Sequence, residues 1–368
     1  MTFWLMLTAA FTATSGLVNT YPVKSINLAA ANTVAFYEAD SLSALSLEDP
    51  HAVYGVGTSD GGYIVCGKGQ ESESSTKLEA FAAKYSSTGS YVWGWRSNKT
   101  SLNDACNSVA LLPSGTELLV AGYREVSGVN KRCLVKLRES DGVEQWAATD
   151  FGDDVNSHGG FETVDFTGDA ALLGGFTGKA DTTEYTFRSY GNTAGGQAHV
   201  MKIPVTALTS APTSASASWN KSFSAAQHSV KAVRATSSGE VGVLMWTDGS
   251  SSGAATLAKL DSAGTTVWGP TDFGTEHGEG TDMQVSTDGT AFVMTGQGNC
   301  SGMLCGKLTK VAVSNGAREW TKEFASCNQP NACGTNFIKN ECWGLQVRPS
   351  NACAPKPQAR SMTKVRGC

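Results

Sequence analysis

Apolar residues occur along this chain in short runs separated by segments rich in Gly, Ser, Thr and Asp. The first such unit has apolar runs at residues 52–58, 63–67, 80–85 and 91–93. Between the first two runs lies Ser59-Asp60-Gly61-Gly62, in which Asp-Gly supplies the positive φ that a hairpin turn needs. Runs of this length between turn signals predict β-strands. The unit therefore predicts four short strands joined by tight turns.

The same pattern occurs five times, each time as a Lys in an apolar run, a Gly-bearing turn and then a Trp. The pairs are Lys84 and Trp93, Lys136 and Trp146, Lys202 and Trp219, Lys259 and Trp268, and Lys310 and Trp320. Successive Trp residues are 53, 73, 49 and 52 positions apart. A period near 50 with four strands per unit is typical of a β-propeller. We expect each Lys to pair with a turn carboxylate, such as Asp60 or Asp288.

The fold class predicted is an all-β propeller of four-stranded blades, with six blades expected and five or seven as alternatives. Five blades are complete within residues 51–325, and a sixth repeat begins at Glu341 but stops after one strand. Because an open ring leaves a bare sheet edge, we expect residues 17–50 to complete this blade, notably through a strand at 33–37. Residues 326–368 form a Cys-rich C-terminal segment. The alternative is a further blade that this sequence lacks.

The N-terminus and the charge balance bear on location and partners. Residues 3–18 are apolar and uncharged, with small residues at Ala13, Ser15 and Gly16, which predicts a signal peptide at 1–16. We therefore expect a secreted or cell-surface protein, monomeric and without a membrane span in its mature form. The net charge is −5, with no basic block. Nucleic acid is excluded as a partner, because phosphate binding requires clustered Lys and Arg.

Ten cysteines and three N-glycosylation sequons are consistent with secretion. Because no CxxC pair is present, we interpret most cysteines as disulfide-bonded rather than zinc-binding. The disulfide candidates are Cys300, Cys305, Cys327, Cys333, Cys342 and Cys353, and the glycosylation candidates are Asn98, Asn220 and Asn299. The sequence leaves the disulfide connectivity open.

The segments KYSSTGSYVW at Lys84–Trp93 and KLDSAGTTVW at Lys259–Trp268 resemble the tryptophan motif of pyrroloquinoline-quinone-type, or quinoprotein-like, propeller repeats. The resemblance covers roughly residues 50–325. It implies that the five repeated Trp residues pack between neighbouring blades and are structural. Quinoprotein dehydrogenases have eight blades and a vicinal Cys-Cys pair, and this chain has neither. The resemblance therefore points to a non-dehydrogenase member, for which no cofactor is expected.

Candidate binding residues precede the first strands of the repeats. His51, Asp104, His158, His228 and His277 occupy comparable places, so they could form a ring around the channel mouth that holds a metal or polar ligand. Capping of a repeated turn by each residue is the alternative. Tyr185 and Tyr190 lie in an insertion of the third repeat, where aromatic residues can stack on sugars or anchor partners.

The function predicted is non-catalytic binding of a protein or glycan, through one face of the propeller and the third-repeat insertions. Two alternatives remain open. One is a quinoprotein-like oxidoreductase or glycosidase-type enzyme at the channel mouth, near His158, His228 and His277, for which a bound metal ion or quinone would be the evidence. The other is a structural wall or matrix component cross-linked by its Cys-rich tail.

Overall fold

The computed structural model describes residues 2–7, 24–25, 45, 47–70, 77–97, 102–179, 196–224, 226–247, 254–274, 279–300, 303–324 and 342–348. Within these ranges the chain is almost entirely β-strand. Two short 3-10 helices, Val205–Thr209 and Ser214–Ser216, interrupt this pattern of strands. They lie in the connection between the third and fourth strands of the third repeat. No helix in the described part is long and apolar enough to cross a membrane.

Five antiparallel sheets of four strands follow one another along the chain. Blade 1 comprises β3 (Glu48–Gly57), β4 (Tyr63–Gln70), β5 (Leu78–Tyr85) and β6 (Tyr91–Arg96). Blade 2 comprises β7 (Asp104–Leu111), β8 (Glu117–Val126), β9 (Val129–Arg138) and β10 (Glu144–Ala148). Blade 3 comprises β11 (His158–Thr167), β12 (Ala170–Lys179), β13 (Gln197–Pro204) and β14 (Trp219–Ser222).

Blade 4 comprises β15 (Gln227–Ala235), β16 (Val241–Thr247), β17 (Ala254–Leu260) and β18 (Thr266–Asp272). Blade 5 comprises β19 (Glu279–Val285), β20 (Ala291–Cys300), β21 (Met303–Ala312) and β22 (Arg318–Phe324). Within each blade, every strand pairs with the next strand in sequence. The first strands of successive blades contact one another, as β3 with β7, β7 with β11, β11 with β15 and β15 with β19. This is the arrangement of a propeller, as the sequence predicts.

A sixth, composite sheet follows blade 5. It contains β23 (Cys342–Arg348), which packs against β19, paired with β1 (Thr2–Leu7), which in turn pairs with β2 (Lys24–Ser25). The N-terminus therefore completes the last blade, but with residues from the segment predicted as a leader. The closing strand expected at 33–37 lies outside the described residues. Cleavage after residue 16 would remove β1, so the leader and this closure cannot both belong to the mature protein.

The five Lys–Trp pairs of the repeat face each other across two neighbouring strands. Lys84, Lys136, Lys202, Lys259 and Lys310 are the direct cross-strand partners of Trp93, Trp146, Trp219, Trp268 and Trp320. In each blade the Lys lies on the third strand and the Trp on the outermost one. The sequence spacing thus encodes one hairpin with a fixed register.

The repeated Trp side chains join each blade to the next. The indole N–H donates to a backbone carbonyl in the following blade at 2.9–3.1 Å, from Trp93 to Glu139, Trp146 to Leu208, Trp219 to Ser262 and Trp268 to Val313. Glycine is required beneath three of these rings. At Gly142, for example, φ is +70° and an added Cβ would lie 2.5 Å from the Trp93 ring. These contacts are structural, as the resemblance implies.

Three of the five repeated Lys side chains are buried, those of Lys84, Lys136 and Lys259, and four of the five form ion pairs. Lys84 lies 2.8 Å from Asp60 and 2.5 Å from Glu139 of the next blade, and Lys136 lies 2.7 Å from Glu117. Lys259 and Lys310 pair with Glu240 and Glu319 in the same way. A buried ammonium group requires such a partner. The pairing of Lys84 with Asp60 is the one that the sequence predicts.

A disulfide between Cys66 on β4 and Cys106 on β7 joins blades 1 and 2. Both side chains are fully buried in the core between these blades, and Cys133 in the same core is unpaired. None of these three was among the disulfide candidates. The side chains of those candidates lie outside the described part of the chain. The sequon residue Asn220 is exposed on β14, as glycosylation requires, and Asn98 is not described.

Candidate functional site

Each described innermost strand contains an extra residue that shifts its pairing with the second strand. The shifts surround Val53, Asn107, Glu162, Lys231 and Thr281. A β-bulge re-aims the side chains that follow it. The five bulges therefore define equivalent positions in the five blades, from which the residues nearest the axis can be compared.

Most side chains at the first and third positions after these bulges are polar or charged and differ from blade to blade, whereas Val56, Ala110 and Ala232 are apolar and pack in the cores between blades. The first position after the bulge holds Tyr54, Ser108, Thr163, Ala232 and Asp282, and the third position holds Val56, Ala110, Asp165, Arg234 and Gln284. The intervening position is apolar in blades 2 to 5 and packs in the cores between blades. The repeat thus conserves its structural residues and varies its axial ones.

Arg234 links side chains from four blades. Its Nη2 donates to the Tyr54 hydroxyl at 2.7 Å and to Asp282 Oδ1 at 2.6 Å, and its Nη1 lies 3.5 Å from Thr163 Oγ1. Tyr54 belongs to blade 1 and Arg234 to blade 4, so this hydrogen bond spans the axis of the ring. We call Tyr54, Thr163, Asp165, Arg234 and Asp282 the axial cluster.

The axial cluster has a buried side and a partly exposed side. Arg234 is 5 % and Asp282 is 2 % exposed, whereas Tyr54 and Asp165, together with the neighbouring Gln284, are half-buried. The Arg234–Asp282 ion pair is therefore buried, whereas Tyr54, Asp165 and Gln284 keep partial solvent exposure. Such a surface can donate and accept hydrogen bonds with a polar ligand.

Asp165 is a carboxyl of this cluster whose pKa is shifted by its surroundings. Burial raises the pKa of its carboxyl above the usual value, although Arg234 nearby opposes that shift. Backbone N–H groups of Phe166 and Ala235 also oppose it, and the Asp282 carboxylate adds to it. A perturbed carboxyl at a partly open position is a common feature of functional sites.

The raised pKa of Asp165 predicts a definite pH dependence. The folded protein holds this proton more tightly than the unfolded chain, so the group stabilises the fold less as pH rises above about 4, its ordinary pKa. We expect Asp165→Asn to remove this loss and to raise the free energy of unfolding at pH 7 relative to the native protein. Denaturant midpoints of both proteins from pH 4 to 8 test this, and parallel pH profiles would contradict it.

The described members of the predicted His and Asp ring are Asp104, His158 and His228. Each contacts another protein group near the start of its strand. Asp104 accepts from Arg124 Nε at 3.0 Å, and His158 Nδ1 accepts from the Asn130 N–H of blade 2 at 2.9 Å. His228 Nδ1 lies 3.2 Å from the Gly196 carbonyl of blade 3. His158 precedes Asp165 by seven residues, which at about 3.3 Å per residue places it roughly 20 Å from the axial cluster.

The remaining sequence-predicted site residues are not described as side chains. His51 lies within β3, where only its backbone is described, and His277, Tyr185 and Tyr190 lie outside the described residues. Among the side chains that are described, no group of three or more His, Cys, Asp or Glu is placed to hold a metal ion. The ring of five thus stays a prediction.

A second buried polar group lies between blades 2 and 3. Arg132 Nε donates to Asp153 Oδ1 at 2.8 Å, and Arg132 Nη1 lies 2.8 Å from His199 Nδ1. Burial and then the guanidinium lower the pKa of His199 to about 3, so its ring is neutral. Thr177 also donates to Asp153. The Asp153 carboxylate, part of an acidic run in the sequence, is thereby committed to protein contacts.

Sequence reasoning missed the axial cluster. The signal available was a charge within the apolar first strands, as Asp165 in FETVDFTG and Arg234 in VKAVRATSSG. A charge in such a strand requires a partner, because burying it alone is costly. The sequence does not show which partner, since Arg234 and Tyr54 are 180 residues apart.

Comparison with known proteins finds similarity in fold only. The chain is similar to a periplasmic gluconolactonase of Pseudomonas aeruginosa (12% identity, 94% of this chain and 99% of that chain, TM-score 0.47). It is also similar to a protein of Lactobacillus plantarum (8%, 94% and 99%, TM-score 0.48) and to an apocarotenoid oxygenase of Synechocystis (9%, 88% and 69%, TM-score 0.44). No family model and no curated protein matches the chain. Similarity at this level assigns neither a family nor an activity.

Proposed function

We propose that this chain is an extracytoplasmic binding propeller that takes a polar, hydroxyl-rich ligand of the glycan class beside the axial cluster. The observation that carries the proposal is the contrast between the two kinds of position in the repeat. Lys and Trp recur as cross-strand partners in every complete blade, and the Trp residues of blades 1 to 4 hydrogen-bond to the next blade, whereas the axial positions differ from blade to blade. A surface built from different polar groups on an otherwise regular scaffold is suited to recognising one asymmetric ligand.

The chemistry of the half-buried side chains favours a sugar. Asp165 accepts hydrogen bonds, Gln284 both donates and accepts them, and Tyr54 offers an aromatic face. Arg234 is held by Asp282 and Tyr54, so it supplies a fixed positive potential rather than a mobile side chain. Preorganised groups of this kind lose little conformational entropy on binding.

Two observations favour a location outside the cytoplasm. The Cys66–Cys106 disulfide joins two blades, and such bonds persist in oxidising compartments. The exposed Asn220 heads a glycosylation sequon on a strand at the outer edge of blade 3. Secretion and glycosylation are part of this proposal and are tested by mass spectrometry of the protein purified from its own host.

Glycan binding is tested with an array of purified oligosaccharides. We expect the native protein to bind a restricted set, and Gln284→Ala to weaken that binding at least tenfold, which corresponds to about 1.4 kcal/mol. Asn315→Ala, in the exposed turn before β22, is the control and should bind normally. Absence of any bound glycan, or equal binding by both variants, would refute the proposal.

A second candidate function is favoured by Asp165 alone. The Asp165 carboxyl has a raised pKa and lies near a second carboxyl, that of Asp282. This arrangement resembles the pair of carboxyl groups that act as acid and base in glycoside hydrolases. Asp282 is buried and paired with Arg234, which makes it a poor nucleophile in this arrangement. Incubation of the array ligands with the protein distinguishes the two functions, since release of reducing sugar that Asp165→Asn abolishes would favour the enzyme.

A further inference from the structure

An open groove of about 540 Å³ lies at the outer edge of blades 4 and 5. One wall is the end of β18 and the residues after it, Thr271–Gly274. The other wall is the turn before β22, formed by Gly316, Ala317 and Arg318. Phe273 at its base is buried, and Ala317 and Arg318 are exposed. The groove is remote from the axial cluster, because it lies at the outermost strand of each blade.

Blade 2 ends in the same local structure. Asp150-Phe151-Gly152 begins four residues after Trp146, and Asp272-Phe273-Gly274 begins four residues after Trp268, with Asp272 the last residue of β18. Both Phe side chains are buried, at 2 % and 7 % exposure, and both glycines have positive φ, +77° and +54°. The outer edges of blades 2 and 4 therefore present similar surfaces to any segment that packs beside them.

At blade 2 this place is filled by a segment of the chain itself. Residues 205–218 connect β13 to β14, and within them Leu208 packs in the same core as Phe151 while Ser214 contacts Asp150 and Gly152. The Ser214 N–H donates to the Asp150 carbonyl at 2.9 Å, and a Cβ added to Gly152 would lie 3.5 Å from Ser214 Cβ. Residues 209–217, the part of this connection that contains Ser214, consist of Thr, Ser, Ala and one Pro.

At blade 4 the corresponding connection is too short to do the same. Trp146 and Trp268 donate to equivalent carbonyls, those of Leu208 and Val313, which fixes the correspondence between the two connections. From Leu208 the chain continues for ten residues before Trp219, but from Val313 for only six before Trp320. The connection beside blade 4 is therefore four residues shorter than the one that contacts Asp150 and Gly152 beside blade 2.

We propose that the groove between blades 4 and 5 binds a Ser-, Thr- and Ala-rich segment of a partner polypeptide, in the backbone conformation that residues 209–217 adopt beside blade 2. Small side chains fit, because the occupant of the matching place has none larger than Thr or Pro. The Asp272 carbonyl takes the place of the Asp150 carbonyl as the acceptor for one backbone N–H of the partner. Asp272 and Arg318 at the rims provide one charge of each sign.

The test uses a synthetic peptide with the sequence of residues 209–217, TSAPTSASA, blocked at both ends. Added to the isotopically labelled full-length protein, it should cause saturable amide shifts in Thr271–Gly274 and Gly316–Arg318. A peptide N-methylated at the position of Ser214 lacks the donor N–H, and we expect it to bind about tenfold more weakly. This comparison requires no change to the protein.

A matched pair of protein variants tests the location. Ala317→Trp fills the groove from an exposed position and should abolish the shifts, whereas Thr265→Trp, at the equivalent exposed position of the turn before Trp268, should leave them unchanged. The proposal is overturned if the peptide causes no shifts at the groove, if N-methylation has no effect, or if Ala317→Trp binds as well as Thr265→Trp. Shifts confined to the blade 2 edge would overturn it too.

Discussion

Replacing Arg234 by Met is expected to destabilise the protein by about 3–5 kcal/mol, because it removes one partner of a buried ion pair. The Asp282 carboxylate is 2 % exposed and would lose the guanidinium 2.6 Å away, keeping the Met283 N–H as a donor. Tyr54 would lose its contact across the ring. The denaturant midpoint, followed by circular dichroism, measures the effect.

Two controls make this result specific. Arg138→Met removes an exposed pair with Asp141 on one turn, and we expect a cost below about 1 kcal/mol. The double variant Arg234→Met, Asp282→Leu removes both charges and should recover much of the stability that the single variant loses. If Arg234→Met is as stable as Arg138→Met, the axial cluster does not hold the blades together.

The second large effect is expected on removing the Cys66–Cys106 disulfide. The two residues are 40 positions apart, and the chain-entropy model assigns a cross-link of this length about 4 kcal/mol. The bond also joins blade 1 to blade 2 through their shared core. We expect the Cys66→Ala, Cys106→Ala variant to unfold at a markedly lower denaturant concentration than the native protein.

The unpaired Cys133 provides the control for this experiment. It lies in the same core, and burial raises the pKa of its thiol to about 12, so it stays protonated and unreactive in the folded state. Cys133→Ala should cost only about 1 kcal/mol through lost packing. A reductant should lower the midpoint of the native protein to that of the double variant and leave the double variant unchanged. If the reductant changes the denaturant midpoint of neither protein, the disulfide contributes nothing to the stability of the fold.

The blade architecture could be predicted from local sequence because the repeat encodes a hairpin. A Lys and a Trp nine or ten residues apart, with a Gly turn between them, specify strands that face each other in one register. The structure confirms this register in all five blades, including the third, where the turn is longer. The prediction succeeded where the determinants lie within one blade.

The axial cluster could not be predicted because its contacts depend on how the ring closes. Arg234 and Tyr54 meet only if blades 1 and 4 face each other, and no local pattern carries that information. The bulges matter as well, since one extra residue shifts every following side chain relative to its partner strand. His158 and His228 each contact a backbone group of the preceding blade, and their role in a ring at the channel mouth stays a prediction.

The closure of the ring could likewise be predicted only in part from local sequence. The sequence predicts a composite last blade, and the described strand that pairs with β23 is Thr2–Leu7, whereas the segment predicted at 33–37 lies outside the described residues. An apolar run at the N-terminus fits both a leader and a buried strand, because each requires only hydrophobicity and length. N-terminal sequencing of the protein from its own host decides between them.

The most direct test of the central claim, that the axial cluster is the binding site, is a crystal structure of the protein with an oligosaccharide selected on the array. We expect the sugar to lie within hydrogen-bonding distance of Asp165 or Gln284, with the Arg234–Asp282 ion pair intact beneath it. A sugar bound elsewhere, with the axial cluster unoccupied, would contradict the account.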